Sequence, residues 1–190
     1  FFISCRALGF PADTTPIPDH ADDLSHMHLC IFPRMILSFR ARIPILDSRL
    51  IPQLRHIQSS SHLFHLIIDA IVDSFIPLCE RATEAVEQVD ELVFALSHKE
   101  QNDLLSRMRV ARRQMTVLRA CLLTKREMII SAMASLPNTR LEYLRDVQDH
   151  IINMLSKLSM STEVLNGLQS TYLSKISIEV AESSHRLNEV

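Results

Sequence analysis

The chain has 190 residues and a mass of 21.7 kDa, which is enough for one domain with its own hydrophobic core. With 47% hydrophobic and 22% charged residues, its composition is that of a folded protein and excludes a disordered one. The net charge of -2 argues against nucleic acid as a partner, because phosphate binding requires a concentrated basic surface. No uninterrupted apolar run reaches the roughly eighteen residues of a membrane span. Four cysteines without paired spacing indicate a reduced, intracellular setting.

The N-terminal part of the chain predicts a small β-sheet. Segments rich in aromatic and branched residues are predicted as strands at 1–8, 27–32 and 35–39. Residues 11–26 contain three prolines and four aspartates, which is typical of an exposed loop. A short helix is predicted over 47–57, because Asp47 and Ser48 offer N-caps at its start.

Residues 59–136 predict a pair of antiparallel helices. Only two glycines occur in the whole chain, against an average usage of about 7%, and apolar residues recur every three or four positions. One helix is predicted from His62 to Leu96 with a kink near Pro77, because proline removes a backbone donor and crowds the preceding turn. Its partner is predicted from about Lys99 to Ala134. The stripes predicted to meet are Val86, Val89 and Val93 on one helix and Met108, Met115 and Leu118 on the other.

A last helix is predicted from Arg140 to Val190, on the order of 75 Å long. Its apolar pattern continues without a stop signal to residue 190, and the chain begins with Phe1 rather than Met. We therefore expect a fragment of a longer protein. The predicted fold class is mainly α, within the α+β class: the remnant of a small sheet over 1–58, a long antiparallel helical hairpin over 59–136 and a long helix over 138–190.

The N-terminal strands offer a candidate zinc site. His26, His28 and Cys30 alternate along one predicted strand and therefore share a face. A fourth ligand could come from His20 or Asp22. Ordinary packing of the strand face is the favoured interpretation, because no second cluster with zinc-ligand spacing occurs. The sequence also lacks a glycine-rich phosphate loop, an HExxH motif and a GxSxG motif, so we predict no enzymatic activity.

Asp146 and Asp149 form a second candidate metal site, on the last helix. They are three residues apart and lie on one helical face, with His150 and Asn153 nearby. Carboxylates at this spacing suit Mg²⁺, which binds through one or two carboxylates and retains several waters. Pairs of acids on helices are also common as solvated charges, and the spacing alone favours this second interpretation.

The last helix resembles the stalk helix of CorA-type magnesium transporters. The resemblance rests on short strings that occur in the order of that family. They are Leu37-Ser38-Phe39, residues 68–78 (IDAIVDSFIPL), residues 143–150 (YLRDVQDH), Tyr172-Leu173-Ser174 and Leu187-Asn188-Glu189-Val190. The first string resembles the last strand of the family's cytoplasmic domain, and the second resembles the start of its paired outer helices.

Within that family the fungal Alr-type branch is most similar. Residues 176–179 (ISIE) resemble the fungal sequences. Tyr172 and Asn188 are sixteen residues apart, where we expect nine in the bacterial pattern, and a difference of two helical turns preserves the facing of both ends. Two departures are that Ser170 stands where many bacterial members have an acid, and that the turn after Phe32 lacks the family's usual glycine.

The resemblance implies the cytoplasmic gating region of a homopentameric Mg²⁺ channel, with no organic substrate. It implies that residues 1–58 are the C-terminal remnant of an αβα domain and that 59–136 are the paired outer helices. Residues 138–190 would be a stalk that enters the membrane just beyond Val190 and lines the pore. A Gly-Met-Asn loop and a second membrane helix would follow.

By the same resemblance, Asp146 and, less centrally, Asp149 would contribute carboxylates to a regulatory Mg²⁺ site between subunits, and Asn188 would face the ion path. The sequence does not decide whether the transported ion is Mg²⁺, Mn²⁺, Co²⁺ or Zn²⁺. It also does not decide whether the membrane is the plasma membrane or the vacuolar membrane. The competing interpretation is a coiled-coil scaffold without an ion role, because apolar stripes on the predicted helices are all that such a scaffold requires.

Overall fold

In the described residues, three strands precede a 3-10 helix and four α-helices, and the first two of these α-helices stand where the apolar spacing predicts one long helix. The computed structural model describes residues 2–7, 25–40, 51–57, 59–95, 101–135 and 141–188. The elements are β1 (Phe2–Ala7), β2 (Ser25–Ile31), β3 (Ile36–Arg40), a 3-10 helix (Ile51–His56), α1 (Ser60–Asp73), α2 (Ile76–Ala95), α3 (Gln101–Ser135) and α4 (Leu141–Asn188). The predicted fold class, mainly α with a small sheet and long helices, is confirmed.

The strands form one antiparallel sheet in the order β1-β2-β3. Ile3 lies opposite Leu29, and Leu29 lies opposite Ser38. Because side chains alternate between the two faces of a sheet, Ile3 and Leu29 are buried on the face that packs against the helices. Phe2 and Phe39 lie on the other face and are exposed.

The turn between β2 and β3 forms without glycine. The Phe32 N–H donates a hydrogen bond to the carbonyl of Met35 at 2.9 Å, and Pro33 and Arg34 make the turn between them. No residue that the structure describes has a positive φ, so this turn does not need the freedom of glycine. The Ser60 hydroxyl donates to the carbonyl of Pro33 at 3.1 Å and ties the turn to the start of α1.

Two of the predicted N-terminal elements lie partly outside the described residues. Within the short helix predicted over 47–57, the structure has a 3-10 helix at Ile51–His56. Positions 47–50 lie outside the described residues. Most of the predicted loop 11–26 lies outside them as well. The three-part division at residues 58 and 136 stays a prediction.

The first long helix is interrupted at Ser74 and Phe75, so that α1 and α2 are separate helices. Pro77 explains the interruption, because it has no N–H to donate to the carbonyl of Asp73 and its ring crowds the preceding turn. The backbone stays hydrogen-bonded there, since the Phe75 N–H donates to the carbonyl three residues earlier at 2.9 Å. The predicted kink is therefore a two-residue interruption between α1 and α2.

A buried lysine lies beside this break. Lys125 on α3 is 2% exposed, and its Nζ lies 4.1 Å from the centroid of the Phe75 ring. The negative face of the ring attracts the ammonium group, and this attraction is stronger where water is excluded. Ser74 is also buried, and its hydroxyl donates to the carbonyl of Ile71 at 2.6 Å.

By length and composition alone, the segment Ser60–Val93 could cross a membrane. In the fold, 56% of its most apolar window is buried inside the chain, including Phe64, Ile68 and Ile71. The segment is also broken at Ser74. These contacts assign it to the core of the helical bundle.

α2 runs parallel to α4, since Asp73 just before it meets His150 and Thr83 meets Ser161. α3 runs antiparallel to α4, since Arg112 meets Asn166 and Met115 meets Thr162. α2 and α3 are therefore antiparallel, and they pack together through the two predicted stripes. The residues of these stripes are all buried: Val86, Val89, Val93, Met108, Met115 and Leu118. Each buried aliphatic side chain contributes on the order of 1.5–3 kcal/mol.

α4 carries three neighbouring rows of side chains, each with alternating spacings of three and four. The core row is buried by the other helices and consists of Leu144, Val147, Ile151, Met154, Leu158, Ser161, Leu165, Leu168 and Tyr172. The row one position later contacts α3. There, Arg112 donates to the side-chain oxygens of Asn166 at 2.9 Å and Gln169 at 2.6 Å.

The row one position earlier than the core row contacts α1 near the start of α4, and its described side chains are exposed along the whole helix, Lys157 included. We call the part of this row that follows Lys157 the open row; it consists of Met160, Val164, Gly167, Thr171, Ser174, Ile178, Ala181 and His185. None of its members is Asp, Glu, Lys or Arg, although α4 carries such residues on its other faces. Met160 is 65% exposed and Ile178 is 60% exposed, so the row presents large apolar side chains to the outside of the chain.

Candidate functional site

Three potential metal ligands from two helices converge near the N-terminal end of α4. Asp69 and Asp73 on α1 and His150 on α4 each place a ligand atom within 4.8 Å of the other two. The Nδ1 of His150 lies 3.2 Å from Oδ1 of Asp73. Both carboxylates are half-buried and the imidazole is exposed. We call these three residues the α1–α4 cluster.

The local sequence explains why both carboxylates reach the same place. Asp69 and Asp73 are four residues apart and therefore lie on one face of α1. Ser59 is the N-cap of this helix, and its hydroxyl accepts a hydrogen bond from the His62 N–H at 3.2 Å. It ends directly after Asp73, because Pro77 interrupts the hydrogen-bond pattern.

The electrostatics of this position favour a cation. The C-terminal end of a helix carries a partial negative charge, so Asp73 lies at the unfavourable end of α1. The nearby carboxylate of Asp69 adds like-charge repulsion. A bound divalent cation would relieve both effects.

A second contact shows that α1 and α4 run parallel. The rings of His65 and Tyr143 lie 5.1 Å apart, and Asp73 meets His150 further along both helices. Tyr143 and His150 are seven residues apart on α4 and lie in the row that leads into the open row. This row therefore follows α1 until α1 ends.

The two predicted acids of α4 lie beside the α1–α4 cluster but are not members of it. Asp146 and Asp149 are both exposed. Asp146 precedes His150 by one helical turn in the same row, and the register between the helices places it level with Asp69. Asp149 directly precedes His150 and therefore lies on a neighbouring face.

The other predicted site residues lie at the edges of what the structure describes. α4 ends at Asn188, whose side chain is outside the described part. The ring of His28 stacks on Phe2, with centroids 6.0 Å apart, so it makes an ordinary packing contact on the sheet. His20, Asp22 and the side chain of His26 are outside the described residues, so the zinc interpretation stays untested there.

Cys79 does not have the environment of a nucleophile. It is 1% exposed. Burial, together with the neighbouring charge of Glu80, raises its pKa to about 12, although Lys157 acts in the opposite direction. A thiol with this pKa is almost fully protonated at neutral pH and is unreactive.

Sequence reasoning missed the α1–α4 cluster as a unit. In the sequence analysis, Asp69 and Asp73 occur only within the string at 68–78, and His150 only as a neighbour of Asp146 and Asp149. A signal was present in two strings that each carry acids at helical spacing, DAIVD at 69–73 and DVQDH at 146–150. Their meeting depends on the register between helices that are distant in sequence, which the local pattern does not contain.

The sequence matches a known protein family over most of its length. The profile of the family described as "CorA-like Mg2+ transporter protein" matches residues 13–188. The chain belongs to this family.

Curated relatives of this CorA-like chain include bacterial and fungal proteins. The "Cobalt/magnesium transport protein CorA" of Thermotoga maritima is 27% identical over 127 residues, which are 65% of this chain and 35% of that protein. The "Manganese resistance protein MNR2" of Saccharomyces cerevisiae is 31% identical over 102 residues, which are 48% of this chain and 10% of that protein. The chain thus spans only 10% to 35% of the length of the curated relatives it matches.

A solved structure of the full-length CmaX protein has the same fold. It matches with a TM-score of 0.78 at 18% identity, covering 98% of this CorA-like chain and 57% of that chain. At this level of identity the likeness concerns the fold.

Proposed function

We propose that this CorA-like chain is the cytoplasmic regulatory region of a divalent-cation channel that transports Mg²⁺ and senses internal Mg²⁺ at subunit interfaces. The observation that carries the proposal is the convergence of Asp69, Asp73 and His150, with Asp146 in the same row as the histidine. Carboxylate oxygens are the ligands that Mg²⁺ prefers, and an exposed site leaves room for the waters it retains.

The open row supports assembly from several copies of the chain. A row with heptad spacing and apolar or small side chains packs against its own copy, because matching rows can bury one another. In a homopentamer, α4 would be the stalk, and the open row would face the other subunits. Asn188 continues the spacing of this row, so its amide would face the ion path, where it would contact a hydrated ion without trapping it.

Regulation follows from linkage between binding and assembly. Carboxylates of neighbouring subunits repel one another when they approach, and a bound Mg²⁺ ion removes this repulsion. The ion therefore favours the closed, symmetric arrangement by binding to it more tightly. When internal Mg²⁺ falls, the repulsion returns and the symmetric arrangement loses its advantage. The whole protein would act at a plasma or vacuolar membrane, with this region on the cytoplasmic side.

The decisive test is Asp146→Lys in the full-length protein. A fixed positive charge would take the place of the bound cation at every Mg²⁺ concentration, so inhibition of transport by internal Mg²⁺ should be largely lost. Asp149→Asn should have a smaller effect, because Asp149 lies outside the row. Current or uptake is measured against internal Mg²⁺ in transporter-deficient cells at matched expression.

Glu142→Lys is the matched control, because Glu142 is an exposed acid on the same helix outside the row. It should leave the inhibition by internal Mg²⁺ unchanged. Identical inhibition curves for wild type and Asp146→Lys would reduce Asp146 to a solvated acid. A coiled-coil scaffold without an ion role would show no Mg²⁺-dependent transport in any of these cells.

A further inference from the structure

The open row ends in a histidine. His185 follows Ala181 by four residues and Ile178 by seven, so it continues the alternating spacing of the row, and its side chain is exposed. Asn188 comes three residues later in the same phase. This part of α4 extends beyond the helices of its own chain, since every described residue from Val180 to Arg186 is exposed.

A symmetric assembly brings equal positions of such a row together. When identical helices pack in parallel around an axis, each row residue lies at the same height as its copies. The open row contains no permanent charge that would keep its copies apart. Under the proposed function, on which this step rests, the copies of His185 therefore surround the axis one turn before Asn188.

We infer that His185 and its copies form a ring of nitrogen donors that binds divalent cations of the zinc class in the ion path. Neutral imidazole is a good ligand for Zn²⁺ and Co²⁺, which accept three or four such donors. Mg²⁺ prefers oxygen ligands and keeps its waters, so it passes this ring without being held. Zn²⁺ should therefore bind here and hinder the passage of Mg²⁺.

The charged residues nearest to His185 on α4 are Glu182 and Arg186, and neither of them is a member of the open row. Arg186 directs its Nε to the backbone carbonyl of Glu182 at 3.4 Å, which holds the guanidinium along its own helix. Glu182 precedes His185 by three residues, which is the spacing of neighbours on a helix surface, and it lies beside the row. The position within the row itself is occupied by the imidazole of His185.

The test measures Mg²⁺ uptake by the full-length protein in transporter-deficient cells, with and without Zn²⁺ on the cytoplasmic side. Wild-type uptake should be inhibited by micromolar Zn²⁺, and His185→Asn should weaken this inhibition at least about tenfold, as expected for loss of a metal ligand. In addition, Co²⁺ added to the purified full-length protein should give the visible absorption of nitrogen-ligated cobalt, which His185→Asn should abolish.

The matched control combines His185→Asn with Ser184→His, which moves the imidazole off the row by one residue while keeping it at the same end of α4. This double variant should stay insensitive to Zn²⁺. Inhibition that persists in His185→Asn, or returns in the double variant, would overturn the inference. Wild-type transport of Mg²⁺ without any effect of Zn²⁺ would overturn the inference and leave the proposed function standing, whereas absence of Mg²⁺ transport would count against the proposed function itself.

Discussion

His150 of α4 lies with its Nδ1 3.2 Å from Oδ1 of Asp73, the last residue of α1. This contact joins two helices whose sequences are more than seventy residues apart, and it does so directly before the chain breaks at Ser74. Asp69 lies one turn earlier on α1 and completes the α1–α4 cluster. The position thus combines potential metal ligands with the point at which α1 ends.

If the α1–α4 cluster binds Mg²⁺, the ion should stabilise the folded chain, and Asp73→Asn should remove most of that effect. A ligand at ten times its Kd stabilises by about 1.4 kcal/mol, which raises the Tm of a chain of this size by about 3–5 °C. Thermal unfolding with and without Mg²⁺ measures the shift. Glu84→Gln, at an exposed acid of α2, is the control and should retain it. An equal shift in Asp73→Asn and wild type would show that the ion binds elsewhere.

Val89→Asp should destabilise the helical hairpin by at least about 3 kcal/mol, because Val89 is 2% exposed and an unpaired carboxylate would enter the core. The free energy of unfolding in denaturant gives the value. Val110→Asp makes the same chemical change at a valine that is 46% exposed on α3, and it should cost less than about 1 kcal/mol. Similar stabilities of the two variants would contradict the packing of α2 on α3.

Ile178→Cys should form crosslinks between copies of the full-length protein in membranes. Ile178 is 60% exposed and lies in the open row, so equal positions meet in a parallel assembly. Ser177→Cys is also exposed but points to a neighbouring face, and its yield of crosslinked dimer should be much lower. The crosslinking yield of the wild-type protein is the background from its native cysteines, of which Cys79 and Cys121 are buried. Equal yields from both variants would mean that the open row is not the contact.

The raised pKa of Cys79 predicts a loss of stability at high pH. The thiol has a pKa of about 12 in the folded chain against the ordinary cysteine value of 9.0, so above pH 9 the unfolded chain releases a proton that the folded chain retains. The stabilisation is thus complete below pH 9 and declines as the pH rises towards 12. Unfolding of wild type and Cys79→Ala at about pH 7.5 and about pH 10.5, on either side of the ordinary thiol pKa, tests this. The advantage of wild type should narrow at the higher pH, whereas parallel profiles would contradict it.

The helical part of the fold was predictable because its signals are local. Apolar spacing in a chain with two glycines defines the long helices, and Pro77 marks the break within two residues. The contact between α2 and α3 also follows from spacing alone. Each helix carries one apolar stripe, and the two helices are consecutive in the sequence. The strands were predictable from their aromatic and branched residues.

The candidate site was predictable only in part. The string around Asp146 indicated the stretch of α4 that also contains His150, but Asp69 and Asp73 lie near it only through the parallel register of α1 and α4. That register is set by packing along the whole core row, including the contact between Thr83 and Ser161. No local pattern records such a long-range relationship, and the open row is likewise recognisable only once the other two rows of α4 are covered.

The break between α1 and α2 has a mechanical consequence. Ser74 and Phe75 are both buried, and the ring of Phe75 lies under the ammonium group of Lys125. The hydroxyl of Ser74 is held by a carbonyl of the preceding turn. These contacts oppose a hinge motion between α1 and α2. Under the proposed function, a displacement of Asp73 by a bound ion would therefore be passed on to α2.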